Sequence, residues 1–583
     1  MPNLRVALAQ TNPRLGDFAG NSVEILASVV DAHAAGADII AFPEMALSGY
    51  PIEDLAVRPE FLAVARKAIE HLAADIAEAG AGSVPVIVGF PHGPAEPGSQ
   101  KNPNPSAIAH NSAAVLLNGK IAGIYNKHHL PNYGVFDEFR NFIPGTDHLL
   151  IRVRGIDVAV LICEDIWRDG GACDELAQIR PGLVVVINGS PFEQDKDDVR
   201  LPLVARRAVA AGTAFAYLNL VGGQDDLVFD GDSFVVDHAG DVLARAASCA
   251  TDLLVTDLDL PLAESRTHLP PSNRGAARVT VVDAGSQSEA KTALPTRATP
   301  PVAPDERERI WDALVLGLRD YIEKNGFPSV ILGLSGGIDS AVCAALAVDA
   351  VGPERVFGVS MPSQWSSDHS KSDAADVAER LGIRMTTEPI AGLVAPVESQ
   401  LELTGLAAEN VQARMRGVIL MGLSNMDGHL VLTTGNKTEI AVGYSTIYGD
   451  SVGGFAPIRD VPKTLVWDLA RWRNSQAQLR GENPPIPENS ITKPPSAELR
   501  PGQVDQDSLP PYDQLDAMLE AYITRRLGRD EVIALGFDAA TVDRVIGLVD
   551  RAEWKRRQGA IGPKISGMAF GRDRRLPVTF HRS

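Results

Sequence analysis

Cysteine is scarce in this chain: it has four residues in 583, at positions 163, 173, 249 and 343, with no spacing typical of a metal site. Such scattered cysteines argue against a disulfide scaffold and favour a reducing compartment. Long apolar runs are missing too, because no stretch of about 18 uncharged apolar residues occurs and the start is too short in apolar length for a signal sequence. We therefore predict a cytoplasmic protein that does not bind membranes.

Positive charge is also in short supply. The chain has 54 lysines and arginines against 74 aspartates and glutamates, a net charge of −20. A protein that binds nucleic acid or an anionic membrane through a large surface needs a basic face on that surface. The net negative charge therefore disfavours both classes of partner. Small phosphate ligands remain possible because they need only a local positive site.

A glycine-rich turn is the strongest local signal. An apolar run at residues 330–334 leads into Ser-Gly-Gly-Ile-Asp-Ser at 335–340, and an alanine-rich helical run follows at 341–351. A strand, a glycine turn and a helix present backbone N–H groups to a phosphate. A simple turn would explain the glycines but not Asp339, which beside phosphates needs a cation; we predict a Mg²⁺ ligand.

The turn lacks the Gly-Lys-Ser/Thr ending of the P-loop. It resembles instead the pyrophosphate loop of enzymes that split ATP into AMP and pyrophosphate in order to activate a carbonyl oxygen.

The N-terminal half contains short apolar runs with helical patterns between several of them. The predicted strands are residues 4–9, 38–42, 84–89, 113–117, 158–162, 183–187 and 214–218. Such runs without a fixed repeat predict a layered α/β or sandwich domain over residues 1–270.

Three polar residues in this half follow apolar strands: Glu44, Lys127 and Cys163. A thiol becomes a nucleophile only as the thiolate, which a nearby cation favours and a nearby carboxylate can generate by taking the proton. Together the three supply a base, a stabiliser of negative charge and a nucleophile for acyl transfer from an amide. Taken singly, a cysteine after a strand is usually a core residue and a strand-end Glu or Lys a solvated one.

The stretches around these residues are similar to the three signatures of the nitrilase (carbon–nitrogen hydrolase) family, in the family's order: residues 42–51, 125–131 and 161–167. The resemblance implies an αββα sandwich with Glu44 as general base, Lys127 as transition-state stabiliser and Cys163 as nucleophile. Residues 132–138 and 188–192 resemble segments that hold glutamine in the ammonia-supplying subgroup. We carry over the glutamine contacts Tyr133, Ser190 and Lys196.

Proline, serine and threonine cluster at residues 271–304, which predicts a linker between domains. Beyond it, strands predicted at 330–334, 356–361 and 384–389 alternate with helices, the first of them at 305–325. This alternation predicts a doubly wound parallel sheet in a domain over residues 305–583, with ligands at the carboxyl ends of the strands. Residues 474–506, rich in Pro and Glu, predict a mobile loop.

Further polar residues recur at predicted strand and helix ends. Asn410 and Arg414 share one helix face at i, i+4, and Glu439 follows a strand predicted at 430–434 through a Gly-Asn-Lys-Thr turn. The turn and its carboxylate suit phosphate or ribose donors and a second metal ligand. A solvated helix face for Asn410 and Arg414, or a helix N-terminal charge for Glu439, would fit equally well in isolation.

Together with residues 443–450, 507–513 and 553–556, these motifs resemble the NAD synthetase family over nearly all of 305–583. Thr438 stands where members often have serine, and the hydroxyl is kept. The ATP-binding residues that the resemblance implies are Gly333, Leu334, Ser335, Gly336, Gly337, Ile338, Asp339, Ser340 and Thr434. The deamido-NAD contacts that it implies are Asn410, Arg414, Glu439, Tyr444 and Lys555. Asp339 and Glu439 would hold Mg²⁺.

The combined prediction is an α/β enzyme with glutamine, ATP and deamido-NAD as substrates and Mg²⁺ as cofactor. It would release ammonia from glutamine, pass it between domains and amidate deamido-NAD through an adenylate. Family members pair through the synthetase domain, so we also predict a homo-oligomer. The alternatives are another glutamine-dependent ATP-pyrophosphatase amidotransferase, a stand-alone amidase with a non-catalytic second domain, and a binding protein; the last would not need Glu44, Lys127 and Cys163 together.

Overall fold

The computed structural model describes residues 2–94, 106–194, 197–263, 278–285, 305–366 and 368–580. The chain divides into two compact units. One contains Met1–Gly222 and Phe229–Pro304, and the other contains Gly223–Val228 and Asp305–Ser583. Lys196, a predicted glutamine contact, lies outside the described residues.

The N-terminal strands include every strand that the sequence predicted there. They are β1 (Asn3–Gln10), β2 (Ile39–Ala41), β3 (Val86–His92), β4 (His110–Leu117), β5 (Lys120–Asn126), β6 (His148–Val153), β7 (Ile156–Ile162), β8 (Leu183–Asn188), β9 (Ala214–Asn219), β10 (Val221–Gln224), β11 (Leu227–Asp230), β12 (Phe234–Val236), β13 (Val242–Arg245), β14 (Asp252–Asp259) and β15 (Val279–Asp283). The described strands form one sheet in the order β14-β1-β2-β3-β4-β5 and a second in the order β13-β12-β9-β8-β7-β6-β15, while β10 pairs with β11.

Of the five described helices of this half, the first two pack against the first sheet and the last two pack against the second. They are α1 (Phe18–Ala34), α2 (Pro59–Glu78), α3 (Glu138–Asn141), α4 (Ala172–Ile179) and α5 (Asp197–Ala211).

Alternate side chains of β1 point in opposite directions, as a strand requires. Leu8 packs in one buried cluster with Val160 of the second sheet. Its neighbour Ala7 packs with Val29 of α1. One core thus lies between the sheets and another lies between sheet and helices, which confirms the predicted αββα sandwich.

The second unit is built on a parallel sheet with the order β18-β17-β16-β19. Its strands are β16 (Val330–Gly333), β17 (Val356–Ser360), β18 (Arg384–Thr387) and β19 (Leu430–Val431). This confirms the predicted parallel α/β class. Because β17 and β19 lie on opposite sides of β16, the strand order reverses there, and ligands of such sheets bind at the carboxyl ends around the reversal.

The helices of the second unit include the predicted helix that precedes β16. They are α6 (Glu306–Asn325), α7 (Ile338–Val351), α8 (Asp368–Leu381), α9 (Ala391–Leu401), α10 (Leu406–Asp427), α11 (Lys437–Val442), α12 (Lys463–Leu479), α13 (Glu488–Thr492), α14 (Tyr512–Leu519), α15 (Arg529–Ala534), α16 (Ala539–Arg551) and α17 (Glu553–Arg556). No helix in the described part of the chain is long and apolar enough to cross a membrane.

Two segments differ from the sequence prediction. Strand β15 lies inside residues 271–304, where a linker was predicted, and pairs in parallel with β6. The predicted 474–506 loop contains the end of α12 and all of α13, and the Asn474 side chain bonds the backbone of Ile486 at 2.7 and 3.0 Å. Prolines suggested a loop there, but Asn489 Nδ2 also donates to Asp373 at 2.7 Å and Gln412 Nε2 donates to the Leu499 oxygen at 3.1 Å, and these bonds hold the segment against the rest of the domain.

Asp312 of α6 gives a testable pH dependence of stability. Burial, together with the charges of Glu308 and Asp349, raises the pKa of Asp312 to about 6, against an ordinary 3.8. The folded state therefore holds this proton more tightly than the unfolded chain, so stability is lost as pH rises from about 4 to 6. The loss is at most about 3 kcal/mol.

We expect Asp312→Asn to raise the melting temperature at pH 8 by roughly 2–6 °C, and the gain to shrink toward pH 4. Thermal unfolding of variant and wild type across this range is the measurement. Asp513→Asn, at an exposed position in the first turn of α14, is the control and should bring no such gain. If Asp312→Asn changed the melting temperature equally at pH 4 and pH 8, the raised pKa of Asp312 would be contradicted.

Candidate active sites

Glu44, Lys127 and Cys163 lie just beyond the ends of β2, β5 and β7. All three are buried, with 0, 1 and 4% of each residue exposed. Lys127 Nζ donates to Glu44 Oε1 at 2.7 Å. Strands of both sheets thus deliver the predicted residues to one buried position.

The Glu44 carboxylate is held on both of its oxygens. Asn111 Nδ2 donates to Oε1 at 2.6 Å, and the Gly189 backbone N–H donates to Oε2 at 2.7 Å. Met45, the next residue, has a φ of +54°, a conformation that a non-glycine residue keeps only when its surroundings hold it. The carboxylate is therefore fixed in place as a base must be.

A second carboxylate, Glu138, completes the cluster. It forms an ion pair with Lys127 at 2.8 Å and accepts a hydrogen bond from Tyr50 Oη at 2.9 Å. Burial, opposed by the Lys127 charge and reinforced by that of Glu44, raises the pKa of Glu138 to about 7. Burial alone would lower the pKa of Lys127, but the two carboxylates raise it well above its ordinary value. Lys127 is thus a permanent cation.

Glu138 was not predicted as a site residue. It lies within the segment 132–138, which resembles a glutamine-holding segment. No local sequence pattern shows, however, which carboxylate of that segment faces Lys127.

Cys163 begins a short helical turn, Cys163–Ile166, with a φ of +45°. Burial raises the pKa of its thiol well above the ordinary value, and the Glu44 charge raises it further, whereas Lys127 lowers it. The resting side chain is therefore a thiol. It needs a base to become nucleophilic, and Glu44 is the carboxylate that most affects it.

The predicted glutamine contacts lie around this cluster. Tyr133 is 51% exposed, and its hydroxyl donates to Glu164 Oε2 at 2.7 Å. Glu164 also accepts from Arg168 Nε at 3.1 Å. Ser190 is buried two residues beyond β8, and its backbone N–H donates to Asn219 Oδ1 at 2.9 Å. Glu164, directly after the nucleophile, is a polar neighbour that the sequence analysis did not select.

Two histidines and a glutamate also meet nearby. The possible ligand atoms of His128, His148 and Glu175 lie within 4.8 Å of one another. His148 Nε2 lies 2.8 Å from Glu175 Oε2, but its buried Nδ1 has no hydrogen-bond partner. His148 and Glu175 are thus already paired with each other, and we assign this cluster no part in either of the predicted reactions.

In the second unit, residues 334–337 connect β16 to the N-terminus of α7. Gly336 has a φ of +75°, and a Cβ there would come within 2.7 Å of the Ser370 backbone oxygen, so the turn requires glycine. The Gly337 N–H donates to Ser335 Oγ at 3.2 Å, and Ser340 Oγ donates to the Gly337 oxygen at 3.0 Å. A glycine turn that leads into a helix N-terminus can present backbone N–H groups to an anion.

A cavity of about 670 Å³ opens over this loop. The predicted residues that line it are Gly333, Leu334, Ser335, Gly337, Ile338, Asp339, Ser340, Asn410, Arg414, Thr434, Glu439, Tyr444 and Lys555. Gly336 is not among the lining residues; it is buried against Ser370 and Asp373.

Asp339 and Glu439 face one another across a buried lysine. Lys463 Nζ forms ion pairs with Asp339 and, at 3.3 Å, with Glu439. Asn436 Nδ2 also donates to Asp339 Oδ1 at 3.0 Å. Both carboxylates thus converge on one cation, and a pair of carboxylate oxygens suits Mg²⁺, so these residues fit the predicted metal.

Lys463 was missed by the sequence analysis. It is the first residue of α12, and nothing in its surroundings distinguishes it from a surface lysine; only the fold brings it to Asp339. Its backbone N–H also donates to Thr438 Oγ1 at 2.9 Å, which gives the hydroxyl kept at position 438 a structural role.

The predicted deamido-NAD contacts surround residues 443–447. Asn410 Oδ1 accepts from Thr446 Oγ1 at 2.8 Å, and Arg414 Nε donates to the Ile447 oxygen at 3.3 Å. Lys555 Nζ donates to the backbone oxygens of Gly443 and Ser445 at 2.8 and 2.7 Å. These side chains therefore shape the wall of the cavity as well as line it.

The chain is similar to known proteins over both halves. A carbon-nitrogen hydrolase family model matches residues 5–267 and an NAD synthase family model matches residues 310–559. Glutamine-dependent NAD(+) synthetase of Acinetobacter baylyi is 42% identical over 584 residues, covering 99% of this chain and 98% of the relative. That of Thermotoga maritima is 43% identical over 596 residues, covering 99% of both.

Solved structures agree with these similarities. A glutamine-dependent NAD+ synthetase from Acinetobacter baumannii in complex with ADP is 40% identical, with a TM-score of 0.72 over 99% of this chain and 98% of that one. The corresponding protein from Cytophaga hutchinsonii shares the fold, with a TM-score of 0.77 over 99% of this chain and 98% of that one, at 21% identity.

Proposed function

The chain belongs to the glutamine-dependent NAD(+) synthetases, and we propose that it converts deamido-NAD to NAD with ATP and with ammonia taken from glutamine. The observation that carries the proposal is the co-occurrence in one chain of the Glu44–Lys127–Cys163 cluster and the cavity over residues 335–340. We assign glutamine hydrolysis to residues 1–270 together with strand β15, and NAD synthesis to residues 305–583.

In the first half-reaction, the Cys163 thiol loses its proton to Glu44 and its sulfur attacks the carbon of the glutamine side-chain amide. Lys127 stabilises the negative charge that develops on the amide oxygen. Glu44 returns the proton to the departing nitrogen, ammonia leaves, and a glutamyl thioester remains. Water activated by Glu44 then releases glutamate. The raised pKa of Cys163 supports this order, because the thiol must be deprotonated during attack and not before it.

Tyr133, Ser190 and Lys196 are the proposed contacts for the rest of the glutamine molecule. Tyr133 and Glu164 form a polar pair beside the nucleophile. The Glu164 carboxylate suits the α-ammonium group of an amino acid, and the Lys196 ammonium suits its α-carboxylate.

In the second half-reaction, the nicotinate carboxylate of deamido-NAD attacks the α-phosphorus of ATP, so that pyrophosphate leaves and an adenylate forms. Ammonia then attacks the acyl carbon, AMP departs and the amide NAD results. The turn at 335–340 and Thr434 would hold the ATP phosphates and ribose. Mg²⁺ bound by Asp339 and Glu439 would offset the negative charge of the phosphates.

Asn410, Arg414, Glu439, Tyr444 and Lys555 are the proposed contacts for deamido-NAD, since all five line the same cavity. Ammonia is mostly protonated at pH 7 and does not react as ammonium. We therefore propose that it passes from the first site to the second without release into solvent.

The proposal is tested by supplying the full-length protein with deamido-NAD, ATP and Mg²⁺, with either glutamine or ammonium chloride as nitrogen source. We expect NAD and AMP in equal amounts from both sources, and glutamate equal to NAD when glutamine is supplied. Omitting ATP should abolish NAD formation. A protein that hydrolyses glutamine but makes no NAD from either source would contradict the synthetase assignment.

A further inference from the structure

The carboxylate of Asp165, two residues beyond the nucleophile, is fully buried and bonds two different loops. Its Oδ1 accepts from the backbone N–H groups of His128 at 3.1 Å and His129 at 2.9 Å, and the His129 ring nitrogen Nδ1 lies 3.2 Å away. Its Oδ2 accepts from Tyr125 Oη at 2.8 Å and from the Ile162 backbone N–H at 3.1 Å.

These partners flank two of the three residues of the glutamine-hydrolysing cluster. His128 and His129 directly follow Lys127, and Ile162 directly precedes Cys163. One carboxylate therefore joins the loop that carries the cation to the turn that carries the nucleophile, although the two are 36 residues apart in sequence. Asp165 itself belongs to the same short turn as Cys163.

We propose that Asp165 is a positioning residue for glutamine hydrolysis, holding the Cys163 sulfur in register with the Lys127 ammonium and the Glu44 carboxylate. This inference rests on the proposed function of that cluster. Asp165 touches neither substrate nor the reacting atoms, so it acts through the two loops. Cys163 needs such support because its φ of +45° is strained, and strained conformations persist only where surrounding contacts impose them.

The positioning role of Asp165 requires a carboxylate. An asparagine has the same shape but could not replace it. An ionised carboxylate offers acceptors on both oxygens. An asparagine would place an NH₂ group either against the two N–H groups of the Lys127 loop or against the N–H of Ile162. Donor would then face donor on one of the two loops, and one of them would lose its anchor. The interactions with His129, His128 and Tyr125 outweigh the effect of burial and lower the pKa of Asp165, so the side chain is ionised when the enzyme works.

The test is Asp165→Asn in the full-length protein, with Asp157→Asn as matched control. Asp157 is another buried aspartate, at the opposite end of β7, where it pairs with Arg152 at 2.8 Å. We expect Asp165→Asn to lower kcat for glutamate release by about 10- to 100-fold, as a displacement near 1 Å would do, with KM for glutamine changed less than threefold. Asp157→Asn should keep the wild-type kcat.

Two further readouts separate positioning from general destabilisation. NAD formation driven by ammonium should be unchanged in Asp165→Asn, because the synthetase cavity is untouched. The rate of Cys163 alkylation by iodoacetamide should fall in parallel with kcat across pH 6–9. If kcat and the alkylation rate, corrected for folded protein, both stay within threefold of wild type, the inference is overturned.

If Asp165→Asn does not fold, the variant Tyr125→Phe tests the same inference. This change deletes one hydrogen bond to Oδ2 and should lower kcat two- to tenfold at constant KM; an unchanged kcat would then overturn the inference. A different result would show that the proposed glutamine hydrolysis itself is wrong. In that case the wild-type protein would release no glutamate, or Cys163→Ala would still release it.

Discussion

Cys163→Ala should lose glutamine-driven NAD formation by about 10⁴-fold or more and keep the wild-type rate with ammonium. No other described side chain of the cluster can form the thioester, so removal of the sulfur removes the covalent route entirely. The change is small and the site is already buried, so the domain should still fold. NAD production is measured with each nitrogen source at saturating deamido-NAD and ATP.

Cys173→Ala is the matched control for this variant. Cys173 is also buried, on α4 of the same unit, and burial raises the pKa of its thiol to about 12. It lies outside the Glu44–Lys127–Cys163 cluster and should be dispensable for both reactions. Equal loss of the ammonium-driven reaction in Cys163→Ala would contradict the division of labour between the two units.

Lys463→Met should reduce NAD formation by about 10²- to 10³-fold with glutamine and ammonium alike. The buried ammonium contacts both predicted metal ligands, and the Asp339 and Glu439 charges raise its pKa against the effect of burial. It is thus a permanent cation at the loop that would receive the ATP phosphates. Removing one such group from a preorganised site usually costs this much in rate.

Glutamate release distinguishes this effect from unfolding. It should continue in Lys463→Met, and Lys463→Arg should recover part of the synthesis because it keeps the charge. Lys564→Met is the control: Lys564 is a buried lysine that pairs with Asp573 at 3.5 Å and does not line the cavity. It should lower stability but not the kcat of the folded fraction. Comparable losses of synthesis in the two methionine variants would argue that Lys463 is structural.

The elements that sequence patterns predicted are those with a local cause. The strand before Ser335 and the helix after it follow from apolar runs on either side of two glycines, and Glu44, Lys127 and Cys163 stand where apolar runs stop. The helix that begins at Glu306 is preceded by Asp305, whose side chain accepts from the Arg307 N–H at 2.8 Å, a cap that sequence can show.

The residues that the patterns did not predict depend on distant parts of the chain. Glu138 meets Lys127 across an intervening loop, and Lys463 meets Asp339 from 124 residues away. Asp165 was not predicted because its hydrogen bonds reach the loop after Lys127, 36 residues away in sequence, and no local pattern shows such a contact. Strand β15 was not predicted because prolines and serines surround it in the sequence. An edge strand gains much of its stability from pairing with its neighbour, which in this case is β6.

That strand also decides how the glutamine-hydrolysing half can be produced by itself. Its partner β6 bonds β7 along one edge and β15 along the other, and the Arg278 oxygen accepts from the His148 N–H just before the pairing starts. A gene fragment cut at codon 270 would leave the β15-facing edge of β6 unpaired, and such an edge is an exposed template for aggregation between copies. A fragment extended past codon 285 would retain the closing strand and is the better choice for expression in isolation.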